Sequence, residues 1–295
     1  MKKKTLLLTG TSGFVGYNFL KYALANKYQV IDILRKKNKN LKKLKDLKKR
    51  YNQNYKTIFF SNYQDLKKNI DKVKIDYFIN FATFYRNKNN YEDIFRFIDS
   101  NILFPTLIYS LINQKVKKII NFGTMMQHTD GKNFKPNNLY AATKNAFEMI
   151  GNFYSSNKKV FFYNIKFYES FGLNDERNKI LPTIIRNYKK NKITKILSKD
   201  LELNIIHIND IINAIEILLN KTVKSGSYCL KQNKNIKIKN IIEYINKSIK
   251  KKIKVKYYNK SVNKIIKSKI KTLPGWKVSK NLMKKISESF LNEIN

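Results

Sequence analysis

Cysteine is nearly absent from this chain of 295 residues, in which Cys229 is the single example. One thiol excludes an intrachain disulfide, and it fits a protein of a reducing compartment. Long apolar runs are absent as well, since no stretch approaches the roughly 18 apolar residues that a membrane span needs. The apolar stretch behind the first four residues ends at Gly10, too early for an export signal. We therefore expect a soluble, cytoplasmic protein with no membrane partner.

Acidic residues are scarce: 20 Asp and Glu stand against 61 Lys and Arg, which gives a formal net charge of +41. A charge of this size favours binding to nucleic acid or to an anionic membrane. However, the excess is mostly lysine and is spread along the whole chain. It is accompanied by no arginine-rich arm, no cluster of zinc ligands and no RNA-binding aromatic signature. We expect non-specific binding of polyanions at low salt, no specific nucleic-acid partner and no bound metal.

The chain has nine glycines, and three of them stand close together near the N-terminus. Gly10, Gly13 and Gly16 lie in Thr9–Gly16, which follows an apolar run and opens a helical pattern over Phe14–Ala25. The order of strand, glycine turn and helix is typical of a dinucleotide site, with the pyrophosphate at the helix N-terminus. An ordinary turn between a strand and a helix is the alternative interpretation.

The end of the second predicted strand, Gln29–Arg35, should lie beside the adenosine ribose. An acidic residue there selects NAD through the ribose hydroxyls, whereas an arginine accommodates the 2′-phosphate of NADP. This strand ends in Leu34 and Arg35, with Lys36 and Lys37 behind them, and Asp32 comes earlier. We expect NADP(H) through Arg35; NAD(H) held by Asp32, or a solvated basic loop, are the alternatives.

Strands alternating with helices predict an α/β protein with a Rossmann-like, doubly wound parallel sheet and a smaller mixed C-terminal lobe. The further strands are predicted at Thr57–Ser61, Tyr77–Phe81, Lys118–Gly123 and Val160–Phe167, and the helices between them at Lys39–Arg50, Asp65–Ile70 and Asp93–Gln114. We expect a dinucleotide-binding domain over 1–166, with 204–222 packing back onto it. The ranges 167–203 and 223–295 form the predicted substrate lobe.

Tyr140 and Lys144 are four residues apart on a predicted helix that runs to Tyr154, so their side chains share a face. An ammonium group beside a phenol lowers the phenol pKa, which makes the pair usable for proton transfer. Thr124 directly follows the fifth predicted strand, where its hydroxyl could polarise a substrate carbonyl. A core aromatic residue, a surface lysine and a turn-capping threonine are the structural alternatives.

Taken together, these motifs make the chain similar to the extended short-chain dehydrogenase/reductases, the superfamily of nucleotide-sugar epimerases, dehydratases and 4-ketoreductases. The similarity covers nearly the whole chain. Its further motifs are Asn80–Thr83, Asn101–Thr106, Glu169–Gly172, Ile180–Pro182, His207–Asp210 and Leu273–Trp276.

The resemblance implies the site residues. Tyr140 would transfer the proton, Thr124 would bind the C4 oxygen, and Lys144 would lower the Tyr140 pKa and hold the cofactor ribose. The implied cofactor-binding residues are Gly10, Ser12, Gly13, Phe14, Val15, Gly16, Asp32, Arg35, Asn62, Tyr63, Phe81, Ala82, Thr83, Asn101, Tyr140, Lys144 and Phe167. The implied substrate-binding residues are Thr83, Tyr85, Thr124, Met125, Met126, Tyr140, Glu169, Lys179, Ile180 and Arg186.

The chain departs from the family pattern at two places, one of which disfavours dehydration and one of which concerns binding of the substrate pyrophosphate. Met125 and Met126 stand where the dehydratases carry an acidic pair, and thioethers cannot do acid–base work. Leu203–Asn204 stands where the family often has Arg-Asp, so another cation must meet the substrate pyrophosphate. Arg177, Lys179 and Arg186 are the candidates.

Among family members, the chain looks most similar to the reductases that form CDP-linked 3,6-dideoxyhexoses. The resemblance therefore implies reduction of a nucleotide-linked 4-keto-deoxyhexose at C4, for a surface glycan such as O-antigen or capsule. A nucleotide-sugar 4-epimerase with tightly bound NAD is one alternative, and a non-catalytic dinucleotide-binding protein is another. The resemblance also implies a homodimer formed through Asp93–Gln114 and Tyr140–Tyr154.

Overall fold

The computed structural model describes residues 4–36, 41–86, 90–112, 115–158, 160–258, 260–262 and 264–294. Lys37, Lys39 and Gln114, which lie at the ends of predicted elements, fall outside these ranges. The strands are β1 (Thr5–Thr9), β2 (Gln29–Arg35), β3 (Tyr55–Phe60), β4 (Tyr77–Asn80), β5 (Lys118–Phe122), β6 (Phe161–Phe167), β7 (Glu169–Phe171), β8 (Thr194–Ile196), β9 (Glu202–Leu203), β10 (Ile205–His207), β11 (Gly226–Leu230), β12 (Ile236–Lys237) and β13 (Val255–Tyr257). The helices are α1 (Phe14–Ala25), α2 (Lys42–Arg50), α3 (Tyr63–Ile70), α4 (Tyr91–Ile98), α5 (Phe104–Ile112), α6 (Leu139–Lys158), α7 (Ile180–Lys189), α8 (Ile208–Asn220), α9 (Ile238–Ile249) and α10 (Leu282–Ile294).

Seven of these strands form one sheet in the order β11-β6-β5-β4-β1-β2-β3, and all of its pairings are parallel. This is the predicted Rossmann-like architecture, and the prediction is confirmed. The strand order reverses at β1, between β2 and β4, and ligands bind at the carboxyl ends of strands beside such a reversal.

Both faces of the sheet are buried. In β1, Leu6 and Leu8 belong to the core beneath α1 and α8, whereas Leu7 belongs to the opposite core beneath α3 and α5. Continuous apolar strands are expected wherever helices cover both faces of a parallel sheet. A third core, formed largely by isoleucines of α7, α9 and α10, holds the smaller lobe together.

Strand β11 changes the predicted division of the chain. The sequence analysis placed 223–295 in the substrate lobe, but Gly226–Leu230 pairs with β6 and forms an edge of the large sheet. The short strand Gly226–Leu230 does not reveal its partner in the sequence, because pairing between β6 and β11 is a contact between distant parts of the chain.

The predicted helix Asp93–Gln114 is interrupted. It consists of α4, a π-helical turn over Asp99–Leu103, and α5. The Phe104 N–H donates to the carbonyl of Asp99, five residues back. Pro105 lacks the N–H that an α-helix would use at the next position. Pro105 therefore favours the π-helical turn. The apolar periodicity continues across this turn, so it predicts one uninterrupted helix.

Within the described ranges, no helix is both long enough and apolar enough to cross a bilayer. The same residues contain no group of three or more His, Cys, Asp or Glu side chains arranged to hold a metal ion.

Candidate active site

The glycine turn packs against the turn that follows β4. Gly10 has φ of +69°, and a Cβ placed on it would lie 2.4 Å from the backbone nitrogen of Ala82. A Cβ on Gly16 would lie 2.5 Å from the Gly10 carbonyl oxygen. Gly13 is the N-cap of α1, and no described side chain caps that end of the helix. The backbone is thus arranged as a dinucleotide phosphate requires, with close approach and uncapped N–H groups at a helix N-terminus.

Asp32 lies behind the glycine turn and not in the crevice. Its side chain is fully buried and accepts hydrogen bonds from the Thr11 hydroxyl at 2.5 Å and the Tyr55 hydroxyl at 2.8 Å. Burial raises the pKa of Asp32 to about 7, against the effect of those two donors. The hypothesis that Asp32 binds the ribose hydroxyls is therefore wrong for this geometry, since its position in mid-strand points the carboxyl into the core. It positions Thr11 of the turn.

Arg35 reaches the crevice, where it pairs with a residue that the sequence analysis missed. Its guanidinium lies 2.6 Å from the carboxylate of Asp99, the first residue of the π-helical turn. Tyr63 donates a hydrogen bond to the same carboxylate. Asn62 caps α3 by accepting from the Asp65 N–H at 2.9 Å. No local signal links Arg35 to Asp99, because a turn of an interrupted helix brings them together.

Asn101 holds the turn after β4 against the helix that carries Tyr140. Its amide oxygen accepts from the Thr83 hydroxyl at 3.1 Å and from the Phe84 N–H at 2.7 Å. Its amide nitrogen donates to the Thr143 hydroxyl at 3.0 Å. Asn101 is buried, so its contribution is to fix Thr83 and α6 relative to each other.

Tyr140 and Lys144 lie on the first turns of α6, whose end is capped by Asn138 accepting from the Ala141 N–H at 2.8 Å. Tyr140 shares a hydrogen bond with Thr83, and burial raises the pKa of Tyr140 to about 12. Burial lowers the pKa of Lys144 to about 8, an effect that the charge of Glu148 opposes. For Tyr140, burial outweighs the lowering effects of the Thr83 hydrogen bond and of the Arg177 charge on the pKa. A lowering of the Tyr140 pKa by Lys144 stays a prediction.

Thr124 presents its hydroxyl from the carboxyl end of β5. It caps a short 3₁₀ turn, Met125–Gln127, by accepting from the Met126 N–H at 3.2 Å. The Gln127 side chain accepts from the Thr124 N–H at 2.8 Å. The capping bond uses the hydroxyl as an acceptor, so its proton stays available for a carbonyl oxygen.

One cavity brings the three predicted catalytic residues together. It is lined by Val15, Phe81, Thr83, Tyr85, Phe122, Gly123, Thr124, Met126, Tyr140, Lys144, Phe167, Tyr168, Glu169, Ser170, Arg177 and Lys179. A second cavity, beside the glycine turn, is lined by Gly10, Ser12, Ile33, Leu34, Arg35, Ala82, Thr83, Ser100 and Phe104. Thr83 belongs to both, so the two cavities adjoin along one crevice.

Three predicted substrate residues do not line this cavity. Met125 is buried beneath the turn that it belongs to. Ile180 begins α7 and packs against the core of the smaller lobe. Arg186 donates to the carbonyl of Arg177 at 3.0 Å, which supports the 177–179 loop from behind.

Two of the three cations predicted to meet the substrate pyrophosphate, Arg177 and Lys179, line the cavity, and both already have partners. Arg177 donates to the Asp175 carboxylate at 2.7 Å and to the Ser170 carbonyl at 2.8 Å, and its guanidinium lies 4.3 Å from the Phe14 ring centroid. Lys179 pairs with Glu169 at 2.8 Å. A substrate phosphate would have to share or replace these partners.

A buried polar cluster supports α6 from behind Lys144. Lys166 and Glu148 form an ion pair of 2.8 Å with side chains that are 1% and 2% exposed. The Lys166 Nζ also lies 2.7 Å from His128 Nε2, and Gln127 donates to Glu148 at 2.8 Å. Burial lowers the pKa of both Lys166 and His128. Glu148 was not predicted, although its place four residues beyond Lys144 is a signal that the helical spacing offered.

Known proteins resemble this chain in sequence. Residues 6–230 match the model of the NAD dependent epimerase/dehydratase family. A CDP-abequose synthase of Yersinia pseudotuberculosis is 27% identical over 212 residues, which cover 71% of each chain. A CDP-abequose synthase of Salmonella typhimurium is 22% identical and covers 82% of this chain and 80% of its own.

Two solved structures share the fold over almost the whole chain. A UDP-N-acetylglucosamine 4-epimerase of Methanobrevibacter ruminantium superposes with a TM-score of 0.84 at 17% identity, covering 99% of this chain and 98% of its own. A UDP-glucuronic acid 4-epimerase of Bacillus cereus, in complex with UDP-glucuronic acid and NAD, gives 0.82 at 16% identity over 98% of both chains. At such identities the likeness is one of fold.

Proposed function

This chain belongs to the NAD dependent epimerase/dehydratase family, and from that premise we propose that it reduces a nucleotide-linked 4-keto-deoxyhexose at C4 with NAD(P)H. The observation that carries the proposal is the single cavity whose wall brings together the Thr124 hydroxyl, the Tyr140 phenol and Lys144. A protonated phenol beside the Thr124 hydroxyl suits the reduction of a carbonyl, which must gain a proton.

The reduced cofactor supplies a hydride to the carbonyl carbon when it is bound. Gly10 and Gly16 let the turn pack closely against neighbouring backbone, because an added Cβ would lie 2.4 Å and 2.5 Å from backbone atoms. The N-terminus of α1, which begins after Gly13 without a side-chain cap, can then bind the cofactor phosphates. Lys144 lies on the cavity wall and has a pKa of about 8, so it is still mostly an ammonium group at neutral pH and can donate to a ribose hydroxyl.

The remaining chemistry belongs to the side chains of this protein. Thr124 donates a hydrogen bond to the C4 carbonyl oxygen and so polarises it. Tyr140 gives its proton to that oxygen as negative charge develops there, and Thr83, which shares a hydrogen bond with Tyr140, holds the phenol in place. The apolar rings of Phe81, Phe122 and Phe167 line the same cavity and exclude water.

Among its described residues, the cavity wall carries no acidic pair of the kind that dehydration would need. Met126 contributes a thioether to the wall where the dehydratases place an acid. Among the described residues that line the cavity, Glu169 is the only carboxylate, and its charge is neutralised by Lys179. We therefore propose reduction without elimination of water. The names of two relatives, both CDP-abequose synthases, support a CDP-linked dideoxyhexose as the product. We propose that this sugar is used in a surface glycan such as O-antigen or capsule.

We further propose that Arg177 and Lys179 meet the substrate pyrophosphate, because both line the cavity and the pair Leu203–Asn204 brings no charge there. Asp175 accepts hydrogen bonds from Nε and Nη2 of Arg177, and the Phe14 ring packs against the guanidinium, so a phosphate can be bound through Nη1 without displacing Asp175.

A homodimer is the proposed assembly. Along α4 and α6, the large apolar side chains of Tyr91, Phe95, Met149 and Phe153 are exposed. Apolar patches of this kind mark interaction surfaces, and a two-fold axis would bury the patch against its own copy. Light scattering after gel filtration should give twice the monomer mass, and Phe95→Asp with Phe153→Asp should give the monomer mass.

The proposal is tested first on the purified protein. Any nucleotide that is released by heating is identified by mass spectrometry, and NADPH and NADH are then titrated into the stripped protein. Little bound nucleotide and measurable affinity for the reduced cofactors fit a ketoreductase that exchanges cofactor at each turnover. Stoichiometric bound NAD, with no net oxidation of added NADPH, would instead identify a 4-epimerase.

A further inference from the structure

The ion pair between Arg35 and Asp99 lies between two cavities. On one side is the cavity beside the glycine turn, to which Arg35 contributes. On the other side is a cavity at the end of β3, lined by Arg35, Lys36, Phe60, Ser61, Asn62, Tyr63 and Asp99. A nucleotide that extends from the glycine turn toward β3 must pass this pair, because Arg35 forms part of both walls.

Both members of the pair are held in place and remain accessible to solvent. The Arg35 guanidinium lies 5.3 Å from the Phe104 ring centroid and 5.8 Å from that of Phe60, and those two rings stack on each other. Tyr63 fixes the Asp99 carboxylate through its hydroxyl. The Arg35 and Asp99 side chains are 44% and 31% exposed. A ligand from solution can therefore contact either of them without unfolding the crevice.

The two charges favour different nucleotides. A ribose with a free 2′-hydroxyl can donate a hydrogen bond to the Asp99 carboxylate, whereas a 2′-phosphate dianion is attracted by Arg35 and repelled by Asp99. The Asp99 carboxylate also occupies donors of Arg35 that a phosphate would use, since the two groups are 2.6 Å apart.

We infer that Asp99 is a specificity-determining residue of the cofactor site, which restrains the preference of Arg35 for a 2′-phosphate and provides the acid for an unphosphorylated ribose. This inference rests on the proposed function, because it requires a dinucleotide in the crevice. The residue that would accept a hydrogen bond from the ribose hydroxyl is then Asp99 of the π-helical turn, whereas the sequence predicts Asp32 of β2 for this role.

The test compares two nucleotide fragments that differ only by the 2′-phosphate, 5′-AMP and 2′,5′-ADP. Their dissociation constants are measured by calorimetry at fixed ionic strength with wild type, Asp99→Asn and Asp99→Glu. Asp99→Asn should raise the affinity for 2′,5′-ADP relative to 5′-AMP about tenfold, as expected for removing one partly exposed charge beside a dianion. Asp99→Glu keeps the charge, and it should leave that ratio within about twofold of wild type.

Asp71→Asn is the matched control, because it changes the net charge equally. Asp71 is an exposed residue at the C-terminus of α3, on the edge of the sheet opposite the crevice, where it pairs with Lys115 at 3.3 Å. Its ratio should equal that of wild type. If Asp99→Asn still binds both fragments but its affinity for 2′,5′-ADP relative to 5′-AMP is unchanged or lowered, the inference about Asp99 is wrong. The proposed function would not be affected by that result. If wild type binds neither fragment, the dinucleotide site and the proposed function fail with it.

Discussion

Replacing Glu148 by glutamine should destabilise the protein strongly, because this carboxylate neutralises a lysine in the interior. Lys166 is 1% exposed, and its ammonium group lies 2.8 Å from the Glu148 carboxylate. The same carboxylate accepts hydrogen bonds from Gln127 and Ser227. Glutamine preserves the shape but not the charge, and its NH₂ group must face one of these donors. The buried ammonium group then has no counter-ion.

The size of the effect follows from the burial of both partners. Breaking a buried ion pair by removing one member typically costs about 3 to 5 kcal/mol, because the remaining charge is desolvated without compensation. Lys166 can release its proton, and burial already lowers its pKa. His128, 2.7 Å away, can also accept a hydrogen bond from it. We therefore expect a loss near the lower limit, about 3 kcal/mol at neutral pH, which is a factor of roughly one hundred in the unfolding equilibrium.

Urea denaturation followed by circular dichroism measures this loss. Glu288→Gln is the matched control, since its partner Lys284 is 3.8 Å away and their side chains are 55% and 69% exposed. This surface pair should contribute less than about 0.5 kcal/mol. Combining Glu148→Gln with Lys166→Met removes both charges and should restore part of the stability lost in the single variant. A loss below about 1 kcal/mol in Glu148→Gln would refute the reasoning.

Three further outcomes are expected. NADPH affinity should weaken above pH 8, because Lys144, with its pKa of about 8, loses its proton there. Lys144→Arg stays charged, so its NADPH affinity should not decline above pH 8. A decline that persists in this variant would contradict the role of Lys144 in cofactor binding. Folding raises the pKa of Asp32 to about 7 from its ordinary 3.8. The contribution of the Asp32 carboxyl group to the free energy of unfolding therefore decreases as the pH rises from 3.8 to 7. Asp32→Asn should therefore gain roughly 2 to 3 kcal/mol relative to wild type between pH 5 and pH 8, measured by urea denaturation, whereas a pH-independent difference would show that Asp32 titrates normally. Gly16→Ala should abolish cofactor binding, because its Cβ would lie 2.5 Å from the Gly10 carbonyl oxygen. In Gly13→Ala the corresponding distance is 3.3 Å, so cofactor binding should be impaired less. Equal losses of cofactor affinity in calorimetric titration would contradict this packing argument.

Sequence periodicity predicted the elements whose signal is local. Strand β2 and helix α1 have the predicted bounds, Gln29–Arg35 and Phe14–Ala25, because their apolar patterns are continuous. Short strands such as β8 and β9 were not predicted, since two or three residues carry no measurable period. The sheet position of β11 was missed because it depends on pairing with β6.

The candidate site divides in the same way. The cavity that unites Thr124, Tyr140 and Lys144 follows from parallel strands that end at one edge and from helical spacing along α6. The partners of these residues follow from no local rule. Glu148 and Lys166 lie on a helix and a strand that meet only in the folded core, and Asp99 reaches Arg35 through an interrupted helix. Burial also shifts pKa values in ways that composition does not predict, and it raises that of Tyr140 to about 12.

The most direct test of the account follows deuterium from a reduced cofactor, labelled at its transferable position, into the sugar. CDP-linked 4-keto-3,6-dideoxyglucose and CDP- and dTDP-linked 4-keto-6-deoxyglucose are offered to wild type and to Tyr140→Phe, and the products are analysed by mass spectrometry and NMR. The account predicts stoichiometric label at C4 with net oxidation of the cofactor. It also predicts that Tyr140→Phe binds the cofactor normally but forms product at least about a hundredfold more slowly. Unlabelled product, no reduction of any of these ketosugars, or undiminished turnover by Tyr140→Phe would contradict it.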